Sequence, residues 1–270
     1  MLRSIITLIL LGVSLSSVAA VEIIAHRGAS KDAPENTLAA FRLGWEQQAD
    51  ANELDLYLTR DGRPVVIHDA TTRRTTGVFG YVNELRLAEL KAFDAGSWKD
   101  EQFAGEPIPS LDEALALTPA GKRWLIEIKC GVEVLPTLKQ TVEATGKPPE
   151  QFALIAFNYE TLRAAKQLMP QLKTYWVVGA SKSKTTGLPP ALDDLVRRAT
   201  AAGFTGLDLD YRFQLTAEQV ANIKRAGLEV LTWTVNDLAV AKALVAAGVD
   251  GITTDRPLWL REGLNAAPAR

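Results

Sequence analysis

The chain contains two histidines, His26 and His68, and each lies at the carboxyl end of a predicted β-strand, at 22–26 and 64–68. A histidine side chain titrates near neutral pH and can both accept and donate a proton. Taken singly, either residue could be a structural histidine that is hydrogen-bonded in the core. In an α/β barrel, the active site lies at the carboxyl ends of the strands. Two histidines that both follow predicted strands therefore predict an acid/base pair.

Three acidic residues accompany the histidines. Glu53 and Asp55 are two residues apart on a predicted strand and therefore share one face. Glu127 lies between aliphatic residues of another strand, with Lys129 on the same face. One such acid could be a solvated edge position, but three buried together would repel one another, and a cation is the usual remedy. Oxygen ligands alone favour one hard divalent cation, Ca²⁺ or Mg²⁺, over Zn²⁺.

The charges of these residues indicate the substrate. Three carboxylates with a divalent cation leave one negative charge, and a bound phosphodiester adds a second. Arg27 and Lys129 would restore neutrality, and both residue types bind phosphate oxygens, arginine through two parallel hydrogen bonds and lysine as a point charge. A phosphodiester is therefore the predicted ligand.

The elements that position these residues alternate between short β-rich runs and amphipathic helical stretches, which is typical of βαβ units. Glycines suited to a left-handed C′ position end three of the predicted helices, at Gly203, Gly227 and Gly248. Two pairs form predicted capping boxes at helix starts, Ser110 with Glu113 and Thr216 with Gln219. Eight runs are predicted as parallel strands: 22–26, 52–58, 124–129, 152–157, 173–178, 206–210, 229–235 and 251–254.

The run 64–68 is predicted to pair differently. Only five residues separate it from the strand 52–58, which is too short for a parallel crossover, and they include an Asp-Gly turn signal. We expect an antiparallel hairpin, which leaves eight βα units in about 250 residues. The fold class is therefore α/β, a TIM (β/α)8 barrel with a small insertion after this hairpin, at about 70–109.

Composition limits the class of protein. The 270 residues carry a net charge of −2, so nucleic acid is not an expected partner. With 47% hydrophobic and 23% charged residues, the chain is typical of a globular protein rather than a disordered one. A single cysteine, Cys130, excludes an intramolecular disulfide framework.

Residues 1–20 have the pattern of an export signal. Arg3 precedes a short apolar run at 5–13, and Val18 and Ala20 offer small residues for cleavage after Ala20. The run is much shorter than the roughly 20 residues of a membrane-spanning helix. We expect an exported protein, periplasmic or secreted, with no stable membrane anchor after removal of the signal and one barrel domain at 21–270.

The motifs occur in an order that resembles the glycerophosphodiester phosphodiesterases, over the whole chain after residue 20. The segments that carry this resemblance are 26–28 (HRG), 34–37 (PENT), 53–55 (ELD), 59–62 (TRDG), 68–69 (HD), 127–129 (EIK), 233–236 (WTVN) and 254–257 (TDRP).

The resemblance implies a phospholipase-C-like barrel enzyme that cleaves glycerophosphodiesters. It implies metal binding by Glu53, Asp55 and Glu127, acid/base roles for His26 and His68, and phosphate contacts from Arg27 and Lys129. Trp233 could line the apolar side of a glycerol pocket, although an aromatic residue on a barrel strand more often packs in the core. Asp208 and Asp210 alternate on a strand and could approach the mouth of the barrel, but a structural or solvated role is the favoured interpretation.

Two other functions are compatible with the residues. One is a phospholipase D-type enzyme acting on lysophospholipids or sphingolipids, although no long amphipathic helix for a lipid surface is evident. The other is an exported phosphodiester-binding protein without turnover, against which the two histidines argue. The expected reaction is metal-dependent hydrolysis of a small-molecule glycerophosphodiester, such as glycerophosphocholine, to glycerol 3-phosphate and an alcohol.

Overall fold

A computed structural model of the chain describes residues 21–182, 187 and 189–266, and the predicted export signal lies outside them. Eight parallel strands close into a barrel in the described chain, in the order β1-β2-β4-β5-β6-β7-β8-β9, with β9 paired to β1. The predicted TIM barrel is confirmed. Its strands are β1 (Glu22–Ala25), β2 (Ala51–Leu58), β4 (Arg123–Ile128), β5 (Phe152–Ala156), β6 (Lys173–Val178), β7 (Gly206–Asp210), β8 (Glu229–Trp233) and β9 (Gly251–Thr254).

A ninth strand, β3 (Pro64–Val66), pairs with β2 in the antiparallel direction, as the short connection and its turn signal predict. Several predicted strands extend one or two residues too far. His26, His68 and Lys129 follow β1, β3 and β4 rather than belonging to them. The site residues therefore lie where strand pairing gives way to loops at the carboxyl end of the barrel.

Helices cover the outside of the barrel. Both predicted capping boxes are formed, at Ser110 and Thr216, and the three predicted glycines, Gly203, Gly227 and Gly248, have positive φ. The helices in the described residues are α1 (Leu38–Glu46), α2 (Arg73–Thr76), α3 (Leu87–Leu90), α4 (Leu111–Ala116), α5 (Leu135–Ala144), α6 (Tyr159–Leu168), α7 (Leu192–Ala201), α8 (Ala217–Arg225), α9 (Leu238–Ala247) and α10 (Pro257–Asn265). Each of them is too short or too polar to span a lipid bilayer.

Side chains of the barrel strands alternate between two cores. Outward-facing residues such as Leu54, Ile126 and Leu207 pack against the helices. Inward-facing residues, including Ile24, Leu125 and Leu231, fill the middle of the barrel as a packed layer. The interior of the barrel is therefore filled by side chains, and the site residues lie above this packed layer.

The amino-terminal end of the barrel carries a network of charges. Arg123 pairs with both carboxylate oxygens of Glu22, and its guanidinium lies 5.8 Å from the centre of the Tyr175 ring. Tyr175 donates a hydrogen bond to Glu229 (2.6 Å), which also pairs with Lys173 (2.7 Å). These residues come from β1, β4, β6 and β8, so the network ties non-neighbouring strands across the barrel.

Residues 70–109 form a compact layer beside β2 and β3. They contain the short helices α2 and α3 and two single-turn 3₁₀ helices. Val82, Leu90 and Ile108 bury a small apolar core with Val65 and Ile67. This layer holds α2 against the edge of the site.

Candidate active site

His26 is oriented by a carboxylate from the far end of the chain. Its Nδ1 lies 2.7 Å from Oδ1 of Asp255, which also accepts a hydrogen bond from Ser30, while Asn236 donates to the other oxygen at 2.6 Å. Burial alone would raise the pKa of Asp255, but these hydrogen bonds and the charge of His26 lower it to about 2. Asp255 therefore stays ionised, and Nε2 is the ring nitrogen available for proton transfer.

His68 has an equivalent partner in the next residue. Its Nδ1 lies 2.6 Å from Oδ1 of Asp69. Arg74 binds the other oxygen of Asp69 at 2.7 Å and grips both oxygens of Glu35 at 2.7 Å. Glu35 in turn accepts a hydrogen bond from Arg27 at 2.9 Å. A continuous chain of ion pairs thus links the second histidine to the predicted phosphate-binding arginine.

The three predicted metal ligands converge. Glu53, Asp55 and Glu127 are buried, and one carboxylate oxygen of each lies within 4.8 Å of the others. Burial and mutual repulsion raise the pKa of Glu53 well above its ordinary value, and burial with the charge of Asp55 raises the pKa of Glu127 to about 7. Oε1 of Glu53 and Oδ1 of Asp55 have no hydrogen-bond partner among the described residues. Unpartnered, mutually repelling oxygens fit a hard divalent cation.

The two predicted phosphate ligands border these acids. Nε of Arg27 lies 3.2 Å from Asp55, and Nζ of Lys129 lies 2.9 Å from Glu127 and 3.5 Å from Asp55. Burial would raise the pKa of Asp55, but these two cations and a hydrogen bond from Asn36 lower it. Asp55 is thus held ionised, and the positive groups stand beside the acids where an anionic ligand would meet them.

The loop after β1 reaches this arrangement through strained backbone. Arg27 and Asn36 both have positive φ, 55° and 58°, which is uncommon outside glycine. Gly28 follows at φ 81°, and a Cβ there would lie 2.5 Å from the backbone of Ala40. The turn lets the Arg27 amide donate to Glu53 at 2.8 Å while its side chain reaches Asp55. One residue therefore contacts the acids with both backbone and side chain.

A cavity of about 100 Å³ is lined by all the predicted site residues except Asp55, and its lining divides into a polar and an apolar half. The polar half comes from β2, from β4 and from the loops after β1, β3 and β4: His26, Arg27, Glu53, His68, Glu127 and Lys129. The opposite half, from β5, β6 and β8, is mostly apolar: Ile155, Phe157, Val177 and Trp233. A larger surface groove of about 800 Å³ lies between α4 and α5, but no histidine lines it. The chemistry therefore lies in the smaller cavity.

Of the two roles favoured for Asp208, structural or solvated, the structure excludes the solvated one. Asp208 is 2% exposed and lines the cavity with the histidines. Alternation along β7 turns it inward because its neighbours Leu207 and Leu209 face the helices. Asp210 is bound by Arg212 instead, in keeping with a structural role.

Sequence reasoning named no role for the residues that orient the catalytic groups. Asp69 and Asp255 stand inside the recognised segments HD and TDRP, and Glu35 and Asn36 inside PENT. Adjacency to His68 was a usable signal for Asp69. Arg74, by contrast, had no signal, because its position depends on how residues 70–109 fold.

Comparison with known proteins agrees with this geometry. Residues 26–258 match the glycerophosphoryl diester phosphodiesterase family. A glycerophosphodiester phosphodiesterase of Caldanaerobacter subterraneus subsp. tengcongensis is 37% identical over 240 residues, covering 87% of this chain and 94% of that protein. One from Bacillus subtilis is 33% identical over 251 residues, covering 87% of this chain and 83% of that protein.

Solved structures show the same fold. A phosphodiesterase of Oleispira antarctica in complex with the product sn-glycerol-3-phosphate has a TM-score of 0.81 at 32% identity, covering 91% of this chain and 97% of that one. A glycerophosphodiester phosphodiesterase from Agrobacterium tumefaciens has a TM-score of 0.74 at 26% identity, covering 89% and 99%. The resemblance found in the sequence is confirmed, and the chain is an enzyme of the glycerophosphoryl diester phosphodiesterase family.

Proposed function

We propose that the protein hydrolyses glycerophosphodiesters, such as glycerophosphocholine, to glycerol 3-phosphate and an alcohol. The observation that carries the proposal is one cavity lined by both histidines, each of which is paired with a carboxylate, and by Glu53 and Glu127. The carboxylates of Glu53 and Glu127 converge with that of Asp55. The Oleispira relative, which was solved with glycerol 3-phosphate, supports the same product.

One divalent cation, Ca²⁺ or Mg²⁺, is proposed to be held by Glu53, Asp55 and Glu127. When bound there, it would neutralise negative charge on the phosphoryl oxygens of the substrate. Arg27 and Lys129, already beside these carboxylates, would turn to the remaining phosphate oxygens. A cation among the acids would release both side chains from Asp55 and Glu127, with which they now pair.

The histidines are proposed to move the protons. A base takes the proton of the attacking oxygen, which is water or the glycerol 2-hydroxyl, and an acid protonates the alkoxide as its bond to phosphorus breaks. We assign His26 as the base and His68 as the acid. One observation weighs against this division, because burial lowers the pKa of His68 and favours its neutral form. The charge of a bound phosphodiester would act in the opposite direction.

Trp233 is proposed to form the apolar wall for the glycerol carbons. Its ring meets Phe157 edge to face at 5.3 Å, and its Nε1 donates to the Asp208 carbonyl at 3.1 Å, so its orientation is fixed from two sides. Export to the periplasm or the exterior is also proposed, and it rests on the pattern of residues 1–20 alone.

Phosphorus NMR of the products tests the reaction. Glycerophosphocholine should give glycerol 3-phosphate, because the phosphoryl group is gripped beside the glycerol pocket and the alcohol leaves. Release of phosphocholine would show cleavage on the wrong side of phosphorus. Lysophosphatidylcholine belongs in the same panel, since turnover of that lipid in preference to the water-soluble diester would favour the phospholipase D-type alternative.

A further inference from the structure

One acidic residue in the cavity has no part in the proposed reaction. Asp208 lies on β7, within the half of the barrel lined by Ile155, Val177 and Trp233, and its partners in strand register are Val177 and Leu231. It is therefore a carboxyl group set into an otherwise apolar wall, facing the polar half across the cavity.

One oxygen of the Asp208 carboxyl group has no hydrogen-bond partner among the residues that the structure describes. Its Oδ1 is buried and accepts or donates no hydrogen bond within the described part of the chain. The nearby indole of Trp233 donates to the Asp208 backbone carbonyl instead. Burying a polar group without a partner costs free energy, and such a group commonly marks a place where a ligand supplies the partner.

Asp208 is not a member of the convergent metal-binding group, which over the described residues consists of Glu53, Asp55 and Glu127. Burial, together with the charge of Glu127, raises the pKa of Asp208 well above its ordinary value. A neutral carboxyl group carries one O–H donor and acceptor oxygens. It can bind a hydroxyl group without repelling the phosphate, which an ionised fourth acid would do.

We propose that Asp208 recognises the hydroxyl groups of the glycerol moiety and thereby sets the enzyme's preference for a polyol phosphate. This inference rests on the proposed function and adds to it the residue that selects the substrate. The phosphoryl group would face the polar half, the glycerol carbons would contact Trp233, and the hydroxyls would supply the hydrogen bonds that Asp208 lacks.

Binding of two phosphate monoesters tests this without requiring turnover. Glycerol 3-phosphate and propyl phosphate differ only in two hydroxyl groups, and their affinities are measured by calorimetry in the presence of Ca²⁺ or Mg²⁺. We expect the wild type to prefer glycerol 3-phosphate. Asp208→Leu should reduce that preference roughly 10- to 100-fold while leaving propyl phosphate binding unchanged. Asp208→Asn, which can still donate and accept, should retain most of it.

Two controls separate this role from a structural one. Asp210→Asn alters an acid on the same strand and should leave the preference unchanged. Asp208→Leu removes a buried unpartnered group, so its melting temperature should equal or exceed that of the wild type. An unchanged preference in Asp208→Leu, an equal loss for both ligands, or no preference in the wild type overturns the proposal. The products from glycerophosphocholine are measured in a separate experiment. Failure of the Asp208 proposal is therefore distinguishable from failure of the proposed reaction.

Discussion

The two histidines share one design, in which Nδ1 faces a carboxylate and Nε2 is left for proton transfer. The carboxylates differ in origin. Asp69 adjoins His68, whereas Asp255 lies 229 residues from His26 and meets it only because β9 pairs with β1. An orienting carboxylate fixes the tautomer and stabilises the protonated ring, so both histidines are equipped to change protonation state.

Leaving-group quality separates the roles of the histidines. General acid assistance matters for a departing alkoxide and little for p-nitrophenolate. We expect His68→Ala to lose roughly 10²- to 10⁴-fold in rate on glycerophosphocholine, yet much less on an activated p-nitrophenyl diester. His26→Ala should be slow on both. Selective rescue of His26→Ala by the good leaving group, measured by the same steady-state assay, would reverse the assignment.

The crowded carboxylates make the metal-free protein sensitive to pH. Glu127 has a pKa of about 7 in the folded protein against an ordinary 4.5, so between these values the folded state binds more protons than the unfolded chain. The free energy of unfolding should therefore be highest below about pH 4.5 as far as this group is concerned, and fall by roughly 1–3 kcal/mol as pH rises through 7.

Urea unfolding in EDTA across this pH range measures the effect. Glu127→Gln is the matched control, since it keeps the shape of the side chain and should flatten the curve. Added Ca²⁺ or Mg²⁺ should also flatten it. Stability that increases in EDTA between pH 5 and 8 by the same amount in both proteins would contradict the assumed repulsion.

The convergence of the two histidines and three acids could be predicted because the local sequence pattern determines where these residues lie on their strands. Spacing by two residues on β2 puts Glu53 and Asp55 on one face, and the carboxyl end of β1 puts His26 at the mouth. His68 follows the antiparallel strand β3, which runs back along β2 and returns this residue to the same acids. The burial of Asp208 could not be predicted, for a related reason. Alternation on β7 indicates its inward face, but nothing in the sequence shows that side chains of the adjacent strands, Val177 of β6 and Trp233 of β8, line the cavity beside it.

At the scale of elements, the barrel follows from repeated βα units, whereas the layer at 70–109 does not follow from any pattern. Its helices α2 and α3 have four residues each, too few to show helical periodicity. The layer is held by a small core of its own, and one of its side chains pairs with two carboxylates of the site. Arg74, on α2, connects Asp69 with Glu35 and so reaches both His68 and Arg27.

Arg74 should therefore act as a positioning residue. Arg74→Ala should lower kcat roughly 10- to 100-fold, because loosening its two carboxylate partners lets His68 and Arg27 shift from their productive positions. Arg74→Lys should recover only part of the loss, since a lysine cannot grip Glu35 with two parallel hydrogen bonds. The exposed neighbour Arg73 supplies the control, and Arg73→Ala should retain activity. Equal kinetics of both alanine variants would refute a positioning role.

At the scale of the whole molecule, the two ends of the barrel carry different kinds of polar groups. The carboxyl end collects the unpartnered, mutually repelling groups of the site, and the amino end carries a satisfied network around Arg123 and Glu229. A packed apolar layer separates them. We therefore expect substitutions at the amino end to change the free energy of unfolding, and substitutions at the carboxyl end to change kcat.

Arg123→Ala tests this separation. It leaves the carboxylate of Glu22 partly buried without its partner and should lower the free energy of unfolding by roughly 2–4 kcal/mol. The double variant with Glu22→Gln should regain part of that loss. Well below the melting temperature, kcat on glycerophosphocholine should stay within about twofold of wild type. A large loss of kcat in the folded variant would show that the two ends are coupled.

The proposed reaction depends above all on the three carboxylates acting through a divalent cation, and the rate of glycerophosphocholine hydrolysis with and without metal measures this directly. After metal removal with EDTA the wild type should be inactive, and Ca²⁺ or Mg²⁺ should restore the rate. Glu53→Gln and Asp55→Asn should remain slow after the same addition, because each loses a ligand charge with little change in shape. Full activity of the wild type in excess chelator, with metal removal verified by elemental analysis, would contradict the account.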